Sequence, residues 1–129
     1  MIKAILAAAL LGALAGCGNS GPSIQGDWQI DLERMVKSAR HNGASPSDIA
    51  DLRETYTNGV LHIDDKTIQL GVTGTDKSKT LNYEPKSRDG ACISLSINAS
   101  SQLYRYCVID GRLAVHDPET KVVLLFKKA

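Results

Sequence analysis

Cys92-Ile93-Ser94-Leu95-Ser96-Ile97 and Leu103-Tyr104-Arg105-Tyr106-Cys107-Val108-Ile109 are two alternating segments joined by the turn-forming run Asn98-Ala99-Ser100-Ser101. Apolar and polar residues that alternate with a period of two mark a strand burying one face. A hairpin centred between Ala99 and Ser100 sets Cys92 opposite Cys107 and Ile93 opposite Tyr106. That register gathers Ile93, Leu95 and Ile97 on one side with Tyr104, Tyr106 and Val108, and leaves Ser94, Ser96 and Arg105 on the other side with the cysteines. The first side is expected to be core and the second wet. Facing cysteines predict a cross-strand disulfide. Catalytic or metal-binding thiols would call for a Cys-x-x-Cys spacing or clustered histidines, and the sequence has neither.

The same period of two recurs in both directions along the chain. It appears in Leu61 and Ile63, in Ile68, Leu70 and Val72, in Leu81 and Tyr83, and in Leu113 and Val115. Asp64-Asp65-Lys66, Lys86-Ser87-Arg88-Asp89-Gly90, Asp110-Gly111 and Asp117-Pro118-Glu119 are the turn-forming runs between them. Val122 to Phe126 is apolar at every position, which predicts a strand covered on both faces or central in its sheet.

Between Trp28 and Val60 the spacing is helical instead. Leu32, Met35, Val36 and Ala39 fall on one stripe, Asp31 can cap its start and Asn42-Gly43 its end. Ser45-Pro46-Ser47-Asp48 reads as a second helix start, with Ser45 as cap, Pro46 in the first helical position and Asp48 near the positive helix end. Ile49, Leu52 and Tyr56 would form its apolar face and Asn58-Gly59 its stop. The expected fold is mainly β (α+β): a small antiparallel meander, sheet or barrel, of about seven or eight short strands. The helix pair lies between the first strand, at residues 27 to 30, and the second.

The amino terminus has a different composition. Lys3 is followed by an apolar stretch from Ala4 to Ala15, the layout of an export signal. A membrane span needs roughly 20 apolar residues, and this run is shorter. The stretch closes on Leu14-Ala15-Gly16-Cys17, which resembles the lipobox of bacterial lipoproteins. An ordinary signal peptide with an incidental Cys17 is the competing reading. The resemblance implies that residues 1–16 are removed as a lipoprotein signal peptide and that Cys17 carries a diacylglyceryl thioether and an acylated amino group. Each buried methylene contributes about 0.8 kcal/mol, so several chains would hold the protein to a membrane. Gly18 stands where an Asp would signal inner-membrane retention. The family rule therefore implies an outer-membrane lipoprotein facing the periplasm.

Removing the leader also settles the composition. The whole chain has 15 Lys and Arg against 14 Asp and Glu, and loss of Lys3 makes them equal. No basic stripe of the kind expected of a nucleic-acid binder is evident. With Cys17 taken by lipid, Cys92 and Cys107 are the remaining pair, in a compartment that oxidises thiols. Residues 17–25 read as a lipidated tether whose flexible part reaches about 15 Å. Residues 26–129 suffice for a single globular β-rich domain.

Gly26-Asp27-Trp28 on the first strand is similar to the Gly-x-Trp opening of calycins, the lipocalin and fatty-acid-binding-protein superfamily. A helix pair between the first two strands resembles the fatty-acid-binding branch. The resemblance implies a barrel that carries a small apolar ligand. Lipocalins lay an Arg from the end of the barrel across the Trp, whereas the last strand here offers Lys127 and Lys128. Without that resemblance Trp28 is a large core residue on an edge strand. About 20 inward side chains, many of them bulky, would fill a barrel this small.

No catalytic, cofactor or metal constellation emerges. His41, His62 and His116 are dispersed, His116-Asp117 sits at a turn, and Ser94 and Ser96 lack a nucleophile elbow. Asp64-Asp65 lacks the remaining oxygen ligands of a calcium site, and the sequon Asn98-Ala99-Ser100 carries little meaning in a bacterial chain. The expected function is that of a non-enzymatic, membrane-anchored structural or interaction module with an envelope protein as partner; the alternative is a calycin-like carrier. Cys17→Ala is expected to abolish incorporation of labelled palmitate, and labelling that survives the substitution would refute lipidation at Cys17.

Overall fold

The computed structural model describes residues 21–119 and 122–129. The residues read as signal peptide and lipobox, Cys17 among them, and the first residues of the expected tether lie outside them. Eight strands follow one another in chain order: β1 (Gly26–Ile30), β2 (Gly59–Ile63), β3 (Thr67–Val72), β4 (Ser78–Asp89), β5 (Cys92–Ile97), β6 (Leu103–Ile109), β7 (Arg112–His116) and β8 (Val123–Lys128). All neighbours are antiparallel, and β8 returns to pair with β1, so the meander is a closed barrel. Two helices, α1 (Leu32–His41) and α2 (Pro46–Tyr56), occupy the connection from β1 to β2.

The interior is filled by the predicted alternating residues. Twelve buried side chains form the core cluster, among them Trp28, Leu61, Ile63, Ile68, Tyr83, Leu95, Tyr106, Leu113 and Phe126; Ile30, Leu70, Leu81, Ile93, Ile97, Tyr104 and Leu124 pack against it. At roughly 25 cal/mol per Å² of apolar surface, this burial is the main force holding the barrel together. Packing begins before Gly26. Ile24, placed by its surroundings in the tether, is only 4% exposed and belongs to the same cluster, and its carbonyl accepts the indole Nε1–H of Trp28 at 2.9 Å. Among the described residues the core and all eight strands thus lie between Ile24 and Lys128, so this stretch has what a domain needs to fold alone.

Helix starts match the sequence closely. The Asp31 side chain accepts from the Arg34 backbone N–H, and Ser45 and Asp48 form a reciprocal capping box with Pro46 in the first turn. The end of α2 differs from expectation: the helix stops at Tyr56, Thr57 caps it and Asn58 takes the left-handed conformation at φ 62°. Gly59 opens β2 instead. A Cβ there would come within 2.9 Å of Ile30 Cγ1, so the position requires glycine for close approach.

The run Lys86 to Gly90 is also reassigned. Lys86 to Asp89 lie inside the long β4, which bulges between Pro85 and Ser87, and the turn is confined to Gly90 and Ala91. Pro85 is tolerated because β4 has already passed the end of its ladder with β3, whose last pair is Thr67 with Asn82. By contrast, Asp110-Gly111 forms the expected two-residue turn, with φ of 54° and 73° between paired Ile109 and Arg112.

Helices change the outer surface as well. The backbone N–H of Asp31 donates to the carbonyl of Leu125 at 2.8 Å, which ties the start of α1 to β8, and Met35 and Val36 of α1 are buried. The expected double cover of β8 is therefore partial: Leu125 is half-buried, while Val122 and Val123 are exposed. Trp28 is 1% exposed on a strand paired on both sides, so it is not an edge residue. Trp28→Ala is expected to cost about 3–5 kcal/mol in denaturant unfolding; a loss below about 1 kcal/mol would mean that the indole does not hold the barrel together.

Candidate functional site

The hairpin register is the predicted one, with Cys92 against Cys107, Ile93 against Tyr106 and Leu95 against Tyr104. The cysteines are joined, their Cα atoms 4.0 Å apart. Their face is drier than the alternation implied. Cys107 is 4% exposed, and it continues sideways through Ala114 to Leu125, the row beside α1. Ser96 is 3% exposed between its longer partners Glu84 and Leu103. The disulfide is thus a wall staple with little access for thiol exchange.

At the closing seam, Trp28 stands opposite Lys128, whose Nζ lies 5.5 Å from the indole centroid. A cation at this distance interacts favourably with the ring face. Of the two lysines that the last strand offers, Lys128 occupies the position across the Trp.

The polar candidates have structural partners. Asp64 Oδ1 accepts from the backbone N–H groups of Lys66 and Thr67 at 3.0 and 2.7 Å, and Oδ2 from the Thr67 hydroxyl at 2.7 Å. Those donors favour the carboxylate and hold its pKa below the ordinary value. Its carboxylate shapes a turn. Tyr83 donates its hydroxyl to the Asp64 carbonyl, and Asp117 Oδ1 accepts from the Glu119 N–H at 2.8 Å. Asn98 sits left-handed in its turn and accepts from the Asn82 N–H at 3.0 Å. His62 Nδ1 meets Asp27 Oδ1 at 2.5 Å on the outer wall, with both side chains exposed. Burial, with Tyr104, Asp117 and Tyr83 nearby, pushes the Tyr106 phenol far above its usual range, so it stays protonated. Among the described residues no three His, Cys, Asp or Glu side chains are grouped to hold a metal ion.

One cleft of about 660 Å³ runs along β1, β2 and β3 beside the Thr73 to Lys77 connection, and its lining joins Asp27, His62 and Gln69 to the core residues Trp28, Leu61 and Leu70. Another of about 640 Å³ separates α1 from the start of β7 and is lined by Arg34, Lys37, Ser38, His41, Arg112 and Leu125. The first four of these recur at helical spacing, i, i+3, i+4 and i+7, so they share one stripe of α1. The sequence contains that signal, but the apolar stripe of the same helix masks it. Arg112, which completes the cleft, comes from a hairpin far away in sequence.

No family model, no curated protein and no solved structure matches this chain. The site must therefore be read from its own chemistry. Closing a 15-residue separation by disulfide contributes roughly 3 kcal/mol through loop entropy. Cys92→Ala combined with Cys107→Ala is expected to lower unfolding free energy by about that amount while leaving the far-ultraviolet spectrum of the fold; an unchanged stability would show that the bond does not constrain the unfolded chain.

Proposed function

We propose that this chain is a membrane-anchored, periplasm-facing lipoprotein that acts as a non-catalytic structural or protein-interaction module of the cell envelope. The observation that carries this reading is the filled barrel: Ile68 and Leu95 have no exposed surface, and Trp28, Ile63 and Leu113 have almost none. A small closed barrel either holds one small ligand or is filled by its own side chains, and here the side chains occupy the interior. The outer wall then becomes the working surface. Leu103, Arg105, His116 and Val123 rise from adjacent strands on that wall, and Leu103 and Val123 are exposed large hydrophobics. Apolar side chains rimmed by polar ones are typical of a protein contact. No helix among the described residues is long and apolar enough to cross a membrane, which fits attachment through the lipid on Cys17.

A calycin-like carrier of a small apolar molecule is the second reading, favoured by Trp28 on the first strand, Lys128 across its ring and the helix pair between β1 and β2. The two readings predict different results. A photocrosslinker at Leu103 or Val123 is expected to give one defined protein adduct in intact cells. Native mass spectrometry of the purified protein is expected to show no bound small molecule. A copurified apolar ligand without any protein adduct would overturn the interaction module in favour of the carrier.

A further inference from the structure

We propose that the cleft between α1 and β7 is a docking face for anionic phospholipid headgroups, seating the domain on the membrane that holds its tether; this rests on the lipoprotein reading above. Three permanent cations line the cleft, Arg34 and Lys37 from α1 and Arg112 from β7, with His41 and the Ser38 hydroxyl beside them and no carboxylate among the lining residues. Among the described residues, no ion pair or hydrogen bond engages the cationic groups of Arg34, Lys37 or Arg112; the one contact of Arg34 with a carboxylate is its backbone N–H to Asp31. In a domain of balanced charge, this is a local surplus of donors that suits a phosphate. Guanidinium groups bind phosphate oxygens in a fork geometry, which makes two arginines facing one cleft a suitable anion cradle.

The surroundings favour a headgroup over a free anion. A smaller cleft shares Arg34, Arg112 and Leu125 and adds the apolar lining of Cys107, Leu113 and Ala114. At its rim stands Ile109, 58% exposed, the most exposed large hydrophobic side chain of the described chain. One acidic group, Asp110, lies at this rim, in the turn before Arg112. A cationic cradle beside a protruding isoleucine matches a phosphate layer with acyl chains beneath it. Topology places the face correctly too. The barrel alternates direction strand by strand, so Gly26 at the start of β1, Ile109 at the end of β6 and Arg112 at the start of β7 share one end. The tether arrives at that end: the Arg88 guanidinium donates to the Pro22 carbonyl at 3.3 Å, and Ile24 is packed in the core.

The test uses residues 18–129, which contain every described core residue and lack Cys17, so its outcome does not depend on modification of Cys17. The protein is expected to sediment with vesicles of phosphatidylcholine mixed with phosphatidylglycerol and not with phosphatidylcholine alone. Each basic residue at an anionic surface contributes roughly a fivefold factor, so Arg34→Gln with Arg112→Gln should weaken vesicle binding about thirtyfold. Lys77→Gln with Lys79→Gln, at the opposite end of the barrel, removes the same charge and should leave binding within about twofold. Thermal melting checks that each variant is folded. Equal losses in both double variants would reduce the effect to net charge and overturn the docking face. Absence of binding to the mixed vesicles would overturn it as well. Competition by inorganic phosphate beyond that of chloride at matched ionic strength would identify a soluble-anion site instead and also overturn it.

Discussion

The closing seam between β1 and β8 is the constraint on which the rest of the molecule depends. Three residue pairs, Trp28 with Lys128, Gln29 with Lys127 and Ile30 with Phe126, join the beginning of the domain to its end. An antiparallel meander without that seam would leave two unpaired edges, each a template for association with another chain. The seam converts those edges into an ordinary ladder. It also commits the largest side chain to the interior, since Trp28 enters from the seam strand and its indole N–H must find the carbonyl of Ile24. An unpaired donor at that depth would cost about 1–3 kcal/mol. Tether and barrel are therefore joined by a buried hydrogen bond.

Closure fixes the helices as well. Because β1 and β2 are neighbours and β1 also borders β8, the excursion between them has nowhere to go but the outside. The Asp31 N–H bonded to Leu125 sets α1 over β8. One stripe of α1, Met35 and Val36, then faces the wall, and the stripe Arg34, Lys37, Ser38 and His41 is left beside β7. A helix that stabilises the barrel by burying apolar area thus presents cations as a geometric consequence. The disulfide fits the same logic: Cys107 lies on the row leading to Leu125, on the part of the wall nearest this helix.

Much of this was legible in the chain, and the exceptions share a cause. Strand alternation, the Cys92 and Cys107 pairing and both helix N-caps are local patterns, decided within one hairpin or one helical turn, and they stand as read. The misread segments are those in which a distant element decides. Lys86 to Asp89 looks like a turn because it is polar, yet β5 supplies a ladder that keeps it extended. Gly59 looks like a helix stop, yet Ile30 from another strand is what demands glycine there. A period of two cannot distinguish an open sheet from a closed one, nor can it reveal that α1 shields the face carrying Cys107. The α1 cleft was half legible: its four helical residues follow a visible spacing, whereas Arg112 joins them only through the fold.

Balanced net charge gives that cleft a particular character. A domain without excess charge has little long-range field to draw it to an anionic surface, and at physiological salt exposed charges act over about 8 Å. Three cations on one wall are thus a short-range device, which acts once the domain is close to the surface. In the proposed lipoprotein, a short tether on Cys17 changes the situation by converting a bimolecular encounter into an intramolecular one at high effective concentration. Under that proposal anchor and cleft divide the work, the lipid fixing distance and the cations fixing orientation. Leu103 and Val123 open β6 and β8 at the end of the barrel opposite Arg112, so the proposed protein contact and the proposed lipid contact occupy different ends of one wall.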